Sequence, residues 1–542
     1  MNLEKFINIT WYMNHKPYSH HSAYDLFYLK MCRRIFKIIS ELPAQYTTVM
    51  QMNNEDSRDT AYILTAYFED RVNNIGFWES LVALHKKQFG KRVPFFDISD
   101  LKAQEDLHED IFPADVHYLL FVSYIIQQTN DREKPVIRFD DPFFIELTKR
   151  VFEYMDETEE VPQTAFYESF LTAPDDYFDL KRMLQWFVFG SYLTGKEFSR
   201  KLQNHISRQN NEDKDPQLAD VMLYAEEDRL MCEEPSSLTA FFPVDILAGA
   251  MHGSDEMKAS VANLKWRPYG IFQIAGETAT HFHFIHTATS EEFDVVIESF
   301  NEPLKVKKQG NYWLTKLAPW NGDAWISGAC MAMPLSQEEI AETNTADQHI
   351  FLKHYRPYRQ KIKKLALDYR HKSATFFKGD LVVFGSGREL QEKMNAFSHW
   401  HFQTVADKAK MGKDVHPPEF PMSKDILAAE DIALFIPPAD NICFILEHKK
   451  SLRALQGGPE MAADEVLEAL FWLMDDSVDS EYCFYLRKNF PLKNLSLFLP
   501  RQTATDQDFE ALLRIYKPGD FSPLCLPAFS ISSLEEQLEE GA

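Results

Sequence analysis

The sequence predicts an α+β protein of several domains: an all-α N-terminal domain, a small antiparallel β module and a mixed α/β C-terminal domain. Its 542 residues are too many for one ordinary hydrophobic core. Apolar residues recur with helical spacing up to about residue 262, and the pattern then changes to the alternation that is typical of strands. These observations predict domains at residues 1–262, 263–335 and 336–542.

The N-terminal domain is predicted to be helical throughout. Ser22 followed three residues later by Asp25 is typical of a capping box at a helix start, and the apolar residues after it lie on one face. Pro113 fits the first turn of another helix, where its missing N–H is not needed. Further helices are predicted at roughly residues 59–88, 113–129, 143–155, 176–193, 216–231 and 243–251.

The middle module is predicted to be a small barrel or a curled meander. Residues 269–300 alternate and carry turn signals at Gly276-Glu277 and Ser290-Glu291, which predicts three short strands. A second pair of strands, residues 312–317 and 324–331, flanks Asn321-Gly322, which favours a tight hairpin turn. Five antiparallel strands in so short a stretch favour closure, because an open sheet would leave exposed edges.

The C-terminal domain is predicted to mix helices with a few short strands. Its strands are expected at residues 381–384, 432–436 and 442–446, and a helix is expected from Arg388 after a Gly-Ser-Gly turn. Helices at residues 462–474, 480–489 and 506–516 are predicted to complete it.

The charge balance and the cysteine pattern limit where the protein works. Lys and Arg total 57 against 82 Asp and Glu, and a formal charge of -25 disfavours broad attraction to nucleic acid or anionic lipid. The N-terminus does not resemble a secretory signal, and the longest apolar stretches are too short to span a bilayer. Six scattered cysteines without a Cys-x-x-Cys pair are typical of reduced thiols. We therefore expect a soluble, cytoplasmic protein that does not enter a membrane.

The most distinctive stretch lies between residues 61 and 96. Two carboxylates occur in Tyr67-Phe68-Glu69-Asp70, and aromatic residues follow in Gly76-Phe77-Trp78. The stretch is otherwise helical and apolar, and it ends with glycine and proline in Gly90-Lys91 and Pro94-Phe95-Phe96. If the chain folds back at residues 73–76, one carboxylate could orient His85 as an acid or base. We favour a buried hydrogen-bonded pair, or a Glu69 to Arg71 pair, that fixes the turn. The candidate ligand-binding residues are Glu69, Asp70, Trp78 and His85, and none is predicted to be catalytic.

A metal site is the second candidate. His281 and His283 lie two residues apart in a predicted strand, so both imidazoles share one face and Phe282 lies on the other. His286 falls on the opposite face, which leaves too few ligands for a metal centre. We favour a strand with one polar and one packed face, and a metal is the only cofactor that the sequence suggests.

Two basic features suggest anion binding. Arg388 follows Gly385-Ser386-Gly387 at a helix start, whose amides can hold an anion, but the glycine pattern matches neither dinucleotide nor phosphate-loop motifs. The region Lys353-Lys372 interleaves cations with Tyr355, Tyr358 and Tyr369, as nucleic-acid surfaces do. We favour a plain turn for the first, and for the second a solvated helix face or a docking surface for an acidic partner.

Several stretches carry a resemblance to a known family. They are the distinctive stretch above, Lys16-Pro17-Tyr18, Asp25-Leu26-Phe27-Tyr28-Leu29-Lys30, Asp176-Tyr177-Phe178 with Trp186, Leu223-Tyr224-Ala225, Ile432-Ala433-Leu434-Phe435 and Ser477-Val478-Asp479-Ser480-Glu481-Tyr482. Together they resemble an uncharacterised bacterial domain-of-unknown-function family of long acidic proteins. The resemblance covers the N-terminal and C-terminal parts of the chain. It implies one common fold and cellular context, and it transfers no catalytic residue.

The sequence favours a non-catalytic intracellular binding or scaffold protein, with grooves between domains and a protein or small-molecule partner. Packing residues are abundant, and no complete catalytic set occurs. A metal-assisted hydrolase that uses His281 and His283 is the alternative. A nucleic-acid-associated factor that uses the basic helix and the β module is the second alternative.

Overall fold

The chain divides into two compact units, residues 1–354 with 497–524 and residues 355–496 with 525–542. The computed structural model describes residues 3–42, 52–96, 110–130, 134–158, 166–210, 216–300, 312–408, 419–438, 442–457, 461–497, 499 and 505–526. It confirms the α+β fold class, with a helical N-terminal region and a mixed C-terminal region. The predicted three-part division of the chain stays a prediction, and the helical region and the barrel lie together in the first unit.

The helical region of the first unit has helices at all the predicted segments and further helices that were not predicted individually. Its described helices are α1 (Leu3–Phe6), α2 (Ile9–Met13), α3 (Ala23–Ser40), α4 (Asn54–Val72), α5 (Phe77–Phe89), α6 (Pro113–Asn130), α7 (Pro142–Asp156), α8 (Phe166–Phe170), α9 (Tyr177–Gly190), α10 (Gly195–Asn210), α11 (Pro216–Cys232), α12 (Pro243–Ala250) and α13 (Asp255–Ala262). The capping box of Ser22 and Asp25 is confirmed at the start of α3.

The segment predicted as one helix over residues 59–88 is two helices. The chain turns between them at Asn74 and Gly76, whose φ angles are 52° and 103°. Both residues adopt the left-handed conformation, which asparagine tolerates and glycine adopts freely, so the helix cannot continue. The turn brings α5 back against α4.

The β module is a closed barrel of five strands, ordered β1-β2-β3-β5-β4. The strands are β1 (Tyr269–Glu277), β2 (His281–His286), β3 (Glu292–Val296), β4 (Tyr312–Trp320) and β5 (Asp323–Ala332). Four pairings are antiparallel, as expected, and the contact of β3 with β5 is parallel. Directions cannot alternate around a closed ring of five strands, so one parallel contact is unavoidable. The OB-fold is likewise a small five-stranded barrel.

The Asn321-Gly322 hairpin is confirmed between β4 and β5. Asn321 and Gly322 have φ angles of 51° and 89°, and the flanking Trp320 and Asp323 face each other as strand partners. Such angles belong to the tight turn whose twist matches that of paired strands. The barrel interior is filled by apolar side chains, chiefly Phe272, Phe282, Phe284, Val295, Trp313 and Leu317.

Two short helices follow the barrel and cover one of its sides. They are α14 (Gln337–Ala346) and α15 (Gln348–Phe351), and Ile340 and Phe351 pack against Ile271 of β1. A last helix of this unit, α22 (Asp506–Tyr516), was predicted as part of the C-terminal domain. It packs instead on α5 and α6, where buried Asp508 accepts hydrogen bonds from Lys91 Nζ and the amide of Phe95. The C-terminal end of the distinctive stretch, at Lys91 and Phe95, therefore binds α22.

The second unit contains a three-stranded antiparallel sheet in the order β6-β7-β8. Its strands are β6 (Leu381–Phe384), β7 (Ile432–Phe435) and β8 (Cys443–Leu446), and its helices are α16 (Arg356–Phe377), α17 (Gly387–Lys408), α18 (Lys424–Ala428), α19 (His448–Gln456), α20 (Ala463–Leu473) and α21 (Ser480–Asn489). The core of this unit forms where α17 packs on the sheet, with Leu390, Met394 and Phe397 against Ile432 and Leu434. None of the helices in the described stretches is both long and apolar enough to cross a lipid bilayer.

Candidate functional site

A cleft of about 1110 Å³ opens in the helical region. Residues of the segment 9–22 line it, together with Phe166 at the start of α8 and Trp186 of α9. The segment is held at both ends by helices, α2 and α3, and the Trp186 indole donates to the carbonyl of His15 at 3.2 Å. Most of the lining therefore belongs to the loop of residues 14–22, which is held between α2 and α3 and bonded to Trp186.

An ion pair lies at the floor of this cleft. The ammonium of Lys16 is 2.5 Å from the carboxylate of Glu69, and both side chains are only 3% exposed. The tyrosine rings around the ammonium lie 5.1 Å away for Tyr12 and 6.0 Å away for Tyr24, Tyr28 and Tyr167. Cation–π attraction and the ion pair both stabilise the buried charge of Lys16.

The tyrosines around this pair are held neutral. Burial and, after it, the nearby Glu69 carboxylate raise the pKa of Tyr12 and Tyr167 well above the ordinary value. Loss of a phenolic proton would place a second negative charge beside Glu69 in a region with little water. The floor is therefore a neutral arrangement of one cation, one anion and aromatic rings.

The rim of the cleft is fixed by Asp25. Its carboxylate accepts hydrogen bonds from the Tyr18 hydroxyl at 2.7 Å and from the Ser22 amide at 2.8 Å. The Tyr18 ring packs edge-on against Phe166, with 4.7 Å between the ring centroids. The capping box predicted for α3 thus also holds the rim of the cleft.

Glu69 and Asp70 are neighbours in sequence, but they serve different partners. Asp70 accepts hydrogen bonds from the amides of Gly76 and Trp78 and from the Tyr192 hydroxyl, each at 2.7 Å. Burial raises the pKa of Asp70 even though these donors favour its charged form. Asp70 therefore fixes the turn between α4 and α5, which is the favoured interpretation, and the expected pairing of Glu69 with Arg71 is replaced by the pair with Lys16.

Trp78 lies beside a second buried carboxylate, Asp115 of α6. The Trp78 indole donates to Asp115 at 2.6 Å, and the Tyr67 hydroxyl does so at 3.0 Å. Arg92 adds an ion pair to the same carboxylate at 2.8 Å. Sequence reasoning did not identify Asp115, because its partners come from three separate segments and its own surroundings resemble any helix start.

His85 lies among aromatic rings. Its imidazole contacts Tyr118, Phe89 and Phe241, with ring centroids 5.4 to 5.8 Å apart. Burial lowers the pKa of His85 to about 4, so the ring is neutral near pH 7. This arrangement supports a packing role for His85 and not that of an acid or base.

Replacing His85 with phenylalanine should make the protein less sensitive to acid. The pKa of His85 is about 4 in the folded protein, below the ordinary value of 6.5, so the unfolded chain takes up this proton first as the pH falls. Stability from the neutral ring is present above about pH 6.5 and is lost toward pH 4. The variant should lose about 1–3 kcal/mol less of its free energy of unfolding between pH 7 and pH 4.

Urea unfolding at several pH values tests this expectation. The same substitution at exposed His371 is the control and should leave the pH dependence unchanged. Equal acid sensitivity of the His85 variant and the wild type would show that the pKa of this ring is the same in the folded and the unfolded protein.

His281 and His283 share the outer face of β2, and His286 is buried on the opposite face, as the strand period predicts. Each pairs with a different carboxylate: His281 with Asp323 at 3.1 Å and His283 with Asp294 at 3.1 Å. The described part of the chain has no group of three or more His, Cys, Asp or Glu side chains that could hold a metal ion. The two imidazoles are thus placed as predicted, with carboxylates that bind them separately.

The turn before Arg388 has its amides engaged. The Gly387 amide donates to the carbonyl of Ala429 at 2.8 Å, and the Gly385 amide donates to the Glu389 carboxylate at 2.9 Å. A Cβ atom at Gly387 would lie 1.7 Å from the Ile426 carbonyl oxygen, which explains the glycine by close packing. These contacts favour the plain turn over an anion site, and Arg388 itself is exposed.

The basic helix α16 exposes part of its charge, and the tyrosines of the basic region are buried or partly buried. Lys361, Lys363 and Lys364 are exposed, whereas Tyr358 is buried, Tyr355 is partly buried, and the partly buried Tyr369 packs on Phe397. Base stacking needs an accessible ring face. The arrangement therefore fits a solvated helix face better than a nucleic-acid surface.

Comparison with known proteins gives one match. Residues 7–243 match the model of a family described as a protein of unknown function, DUF3843. No curated protein and no solved structure matches the chain. The expected relationship to a family of unknown function is confirmed for this segment, which contains the cleft, the Lys16 to Glu69 pair and the distinctive stretch.

Proposed function

We propose that the protein is a non-catalytic binding protein that takes a small ligand in the cleft formed by residues 9–22, Phe166 and Trp186. The cleft itself carries this proposal. Its volume of about 1110 Å³ lies slightly above the usual range of ligand sites, roughly 300–1,000 Å³. Its lining combines six apolar or aromatic side chains with seven polar ones, so a ligand could make both apolar contacts and hydrogen bonds.

The charged groups at the cleft support binding more than chemistry. Lys16 is engaged with Glu69, and Asp25 is engaged with Tyr18 and Ser22. A catalytic set would need a nucleophile or base free to reach a substrate, with a partner to orient it. The proposed role is therefore recognition, with the ion pair as a structural floor.

We place this activity in the cytoplasm. Cys32 and Cys232 are buried and form no disulfide. Burial raises the pKa of both thiols to about 12, which keeps them protonated and unreactive. Reduced thiols in a packed interior suit a reducing compartment.

The two alternatives have less support. A metal-assisted hydrolase would need further ligands at His281 and His283, whose present partners lie on different strands. In OB barrels the outer side of the second and third strands binds oligonucleotides. Here that side carries Glu292 and Asp294, whose charges repel phosphate.

Replacing Ser19 with tryptophan should block the cleft and abolish ligand binding. Ser19 is an exposed rim residue, so a larger side chain there can fill the opening without disturbing the core. A panel of naphthalene, indole and purine compounds would be screened against the wild type by ligand-observed NMR. The compounds that bind should lose at least about tenfold in affinity with the variant.

Ser207→Trp is the matched control, because Ser207 is exposed on α10 and does not line the cleft. It should bind the same compounds as the wild type does. Binding that is unchanged in Ser19→Trp, or the lack of any bound compound, would contradict the proposed function.

A further inference from the structure

We infer that the cleft selects an aromatic anion, that is, a planar ring system that carries a carboxylate or a phosphate. This inference rests on the proposed function and specifies its ligand class. Two features of the cleft support it independently: rigid aromatic walls, and a lining that offers hydrogen-bond donors and contains no acidic side chain.

The aromatic walls are held in place before any ligand arrives. Trp186 packs on Phe170 and Phe77 with ring centroids 5.2 and 5.9 Å apart, and its N–H is bonded to the His15 carbonyl. Phe166 stacks on Phe170 at 5.6 Å with only 20° between the ring planes. Both wall rings remain partly exposed. A planar ligand can stack on them without an entropic cost for ordering the site.

The charge of the lining is unusual for this chain. About one residue in seven is Asp or Glu overall, yet the lining contains none and includes Lys16, His20 and His21. Two carboxylates that contact lining residues are bonded to the protein itself, Glu69 to Lys16 and Asp25 to Ser22 and Tyr18. A ligand anion in the cleft therefore meets hydrogen-bond donors of the lining.

The position of these groups sets where the anion lies. His20, His21 and Ser19 are exposed at the rim, whereas Lys16 is buried at the floor. The ring would stack on Trp186 and Phe166, and its anionic group would lie toward the two histidines. Imidazole rings and hydroxyls donate hydrogen bonds to carboxylate or phosphate oxygens, and a charged acceptor strengthens each bond.

A set of three ligands with the same ring and different charge tests this inference. The full-length protein would be titrated with 2-naphthoate, 2-naphthalenemethanol and 2-naphthylmethylamine by isothermal calorimetry. We expect 2-naphthoate to bind about tenfold more tightly than the alcohol, and the amine to bind most weakly. Adenosine 5′-monophosphate should likewise bind more tightly than adenosine, which extends the comparison from carboxylate to phosphate.

A double variant locates the selectivity. His20→Gln with His21→Gln should lose most of the preference for 2-naphthoate over the alcohol, because the two imidazoles are the exposed lining groups assigned to the anion. His371→Gln on α16 is the control and should behave as the wild type does.

The outcomes separate the ligand class from the binding function. If the alcohol or the amine binds as tightly as 2-naphthoate, and Ser19→Trp blocks all three, the cleft binds ligands and the anion inference is wrong. If the double variant keeps the full preference for 2-naphthoate, the anionic group does not bind at His20 and His21, and this placement is wrong. If no probe binds, both the inference and the proposed function fail.

Discussion

Replacing Arg267 with methionine is expected to lower the free energy of unfolding by about 3–5 kcal/mol, the cost of removing one partner from a buried ion pair. The Arg267 side chain has no exposed surface. Its guanidinium is 2.5 Å from Asp228, donates to the Ser327 hydroxyl at 2.6 Å, and is 3.2 Å from Glu233. The variant would leave two buried carboxylates with fewer cations beside them.

These carboxylates depend on their cations to remain charged. Burial alone would raise the pKa of Asp228. The charges of Arg267 and Lys316 nevertheless hold this pKa below its ordinary value. The same holds for Glu233, where Lys316, Arg267 and Lys353 overcome the effect of burial. The network joins α11 to the barrel, since Ser327 lies on β5 and Lys316 on β4. Its loss should therefore weaken the attachment of the barrel to the helices.

Urea unfolding followed by circular dichroism measures this effect. Arg150→Met is the matched control, because Arg150 pairs with Glu146 on the surface of α7 and both side chains are about 40% exposed. That control should change stability by less than about 0.5 kcal/mol. A loss below about 1 kcal/mol in the Arg267 variant would contradict the prediction, since it would show that the carboxylates do not need this cation.

The local parts of the fold could be predicted from the sequence. Helix α3 follows from its capping box and apolar stripe, and the β4 to β5 hairpin follows from Asn321-Gly322, because each depends on residues close together in the chain. The break between α4 and α5 was considered only as a possible fold-back at residues 73–76, within a segment predicted as one helix. Its cause is the backbone conformation of Asn74 and Gly76, which a helical apolar pattern does not reveal.

The long-range parts could not be predicted in the same way. The closure of the barrel through a parallel contact of β3 with β5 depends on which strands become neighbours, and alternation along each strand does not encode this. The packing of α22 on α5 and α6 likewise depends on contacts between residues that are far apart in the sequence. Asp508 meets Lys91 more than 400 residues earlier in the chain, and no local pattern links them.

In the candidate site, too, local features could be predicted from the sequence and long-range contacts could not. The sequence identified Glu69 and Asp70 as unusual carboxylates on an apolar helix, and both are buried and bonded. Their partners were not identified, because Lys16 is 53 residues from Glu69 and Tyr192 is 122 residues from Asp70. The cleft lining gave one usable signal, the tripeptide Lys16-Pro17-Tyr18 within the family resemblance. A lysine between two aromatic-rich helices is a reasonable marker for a buried cation.

Replacing Lys16 with methionine should also lower the free energy of unfolding by about 3–5 kcal/mol, because Glu69 would remain buried without a cation. Lys16 lies under the cleft with its side chain 3% exposed, and four tyrosine rings surround its ammonium. Methionine has a similar length and no charge, so the variant removes the ion pair and keeps most of the packing. Urea unfolding of the purified protein measures the change.

The double variant Lys16→Met with Glu69→Leu separates the ion pair from the packing around it. When both charges are removed, the apolar replacements should recover most of the loss, to within about 1–2 kcal/mol of the wild type. Lys37→Met is the surface control, since Lys37 pairs with Glu41 and both side chains are about half exposed. Losses that add in the double variant would show that Lys16 and Glu69 act independently. The floor of the cleft would then be held by the tyrosine rings and not by the ion pair.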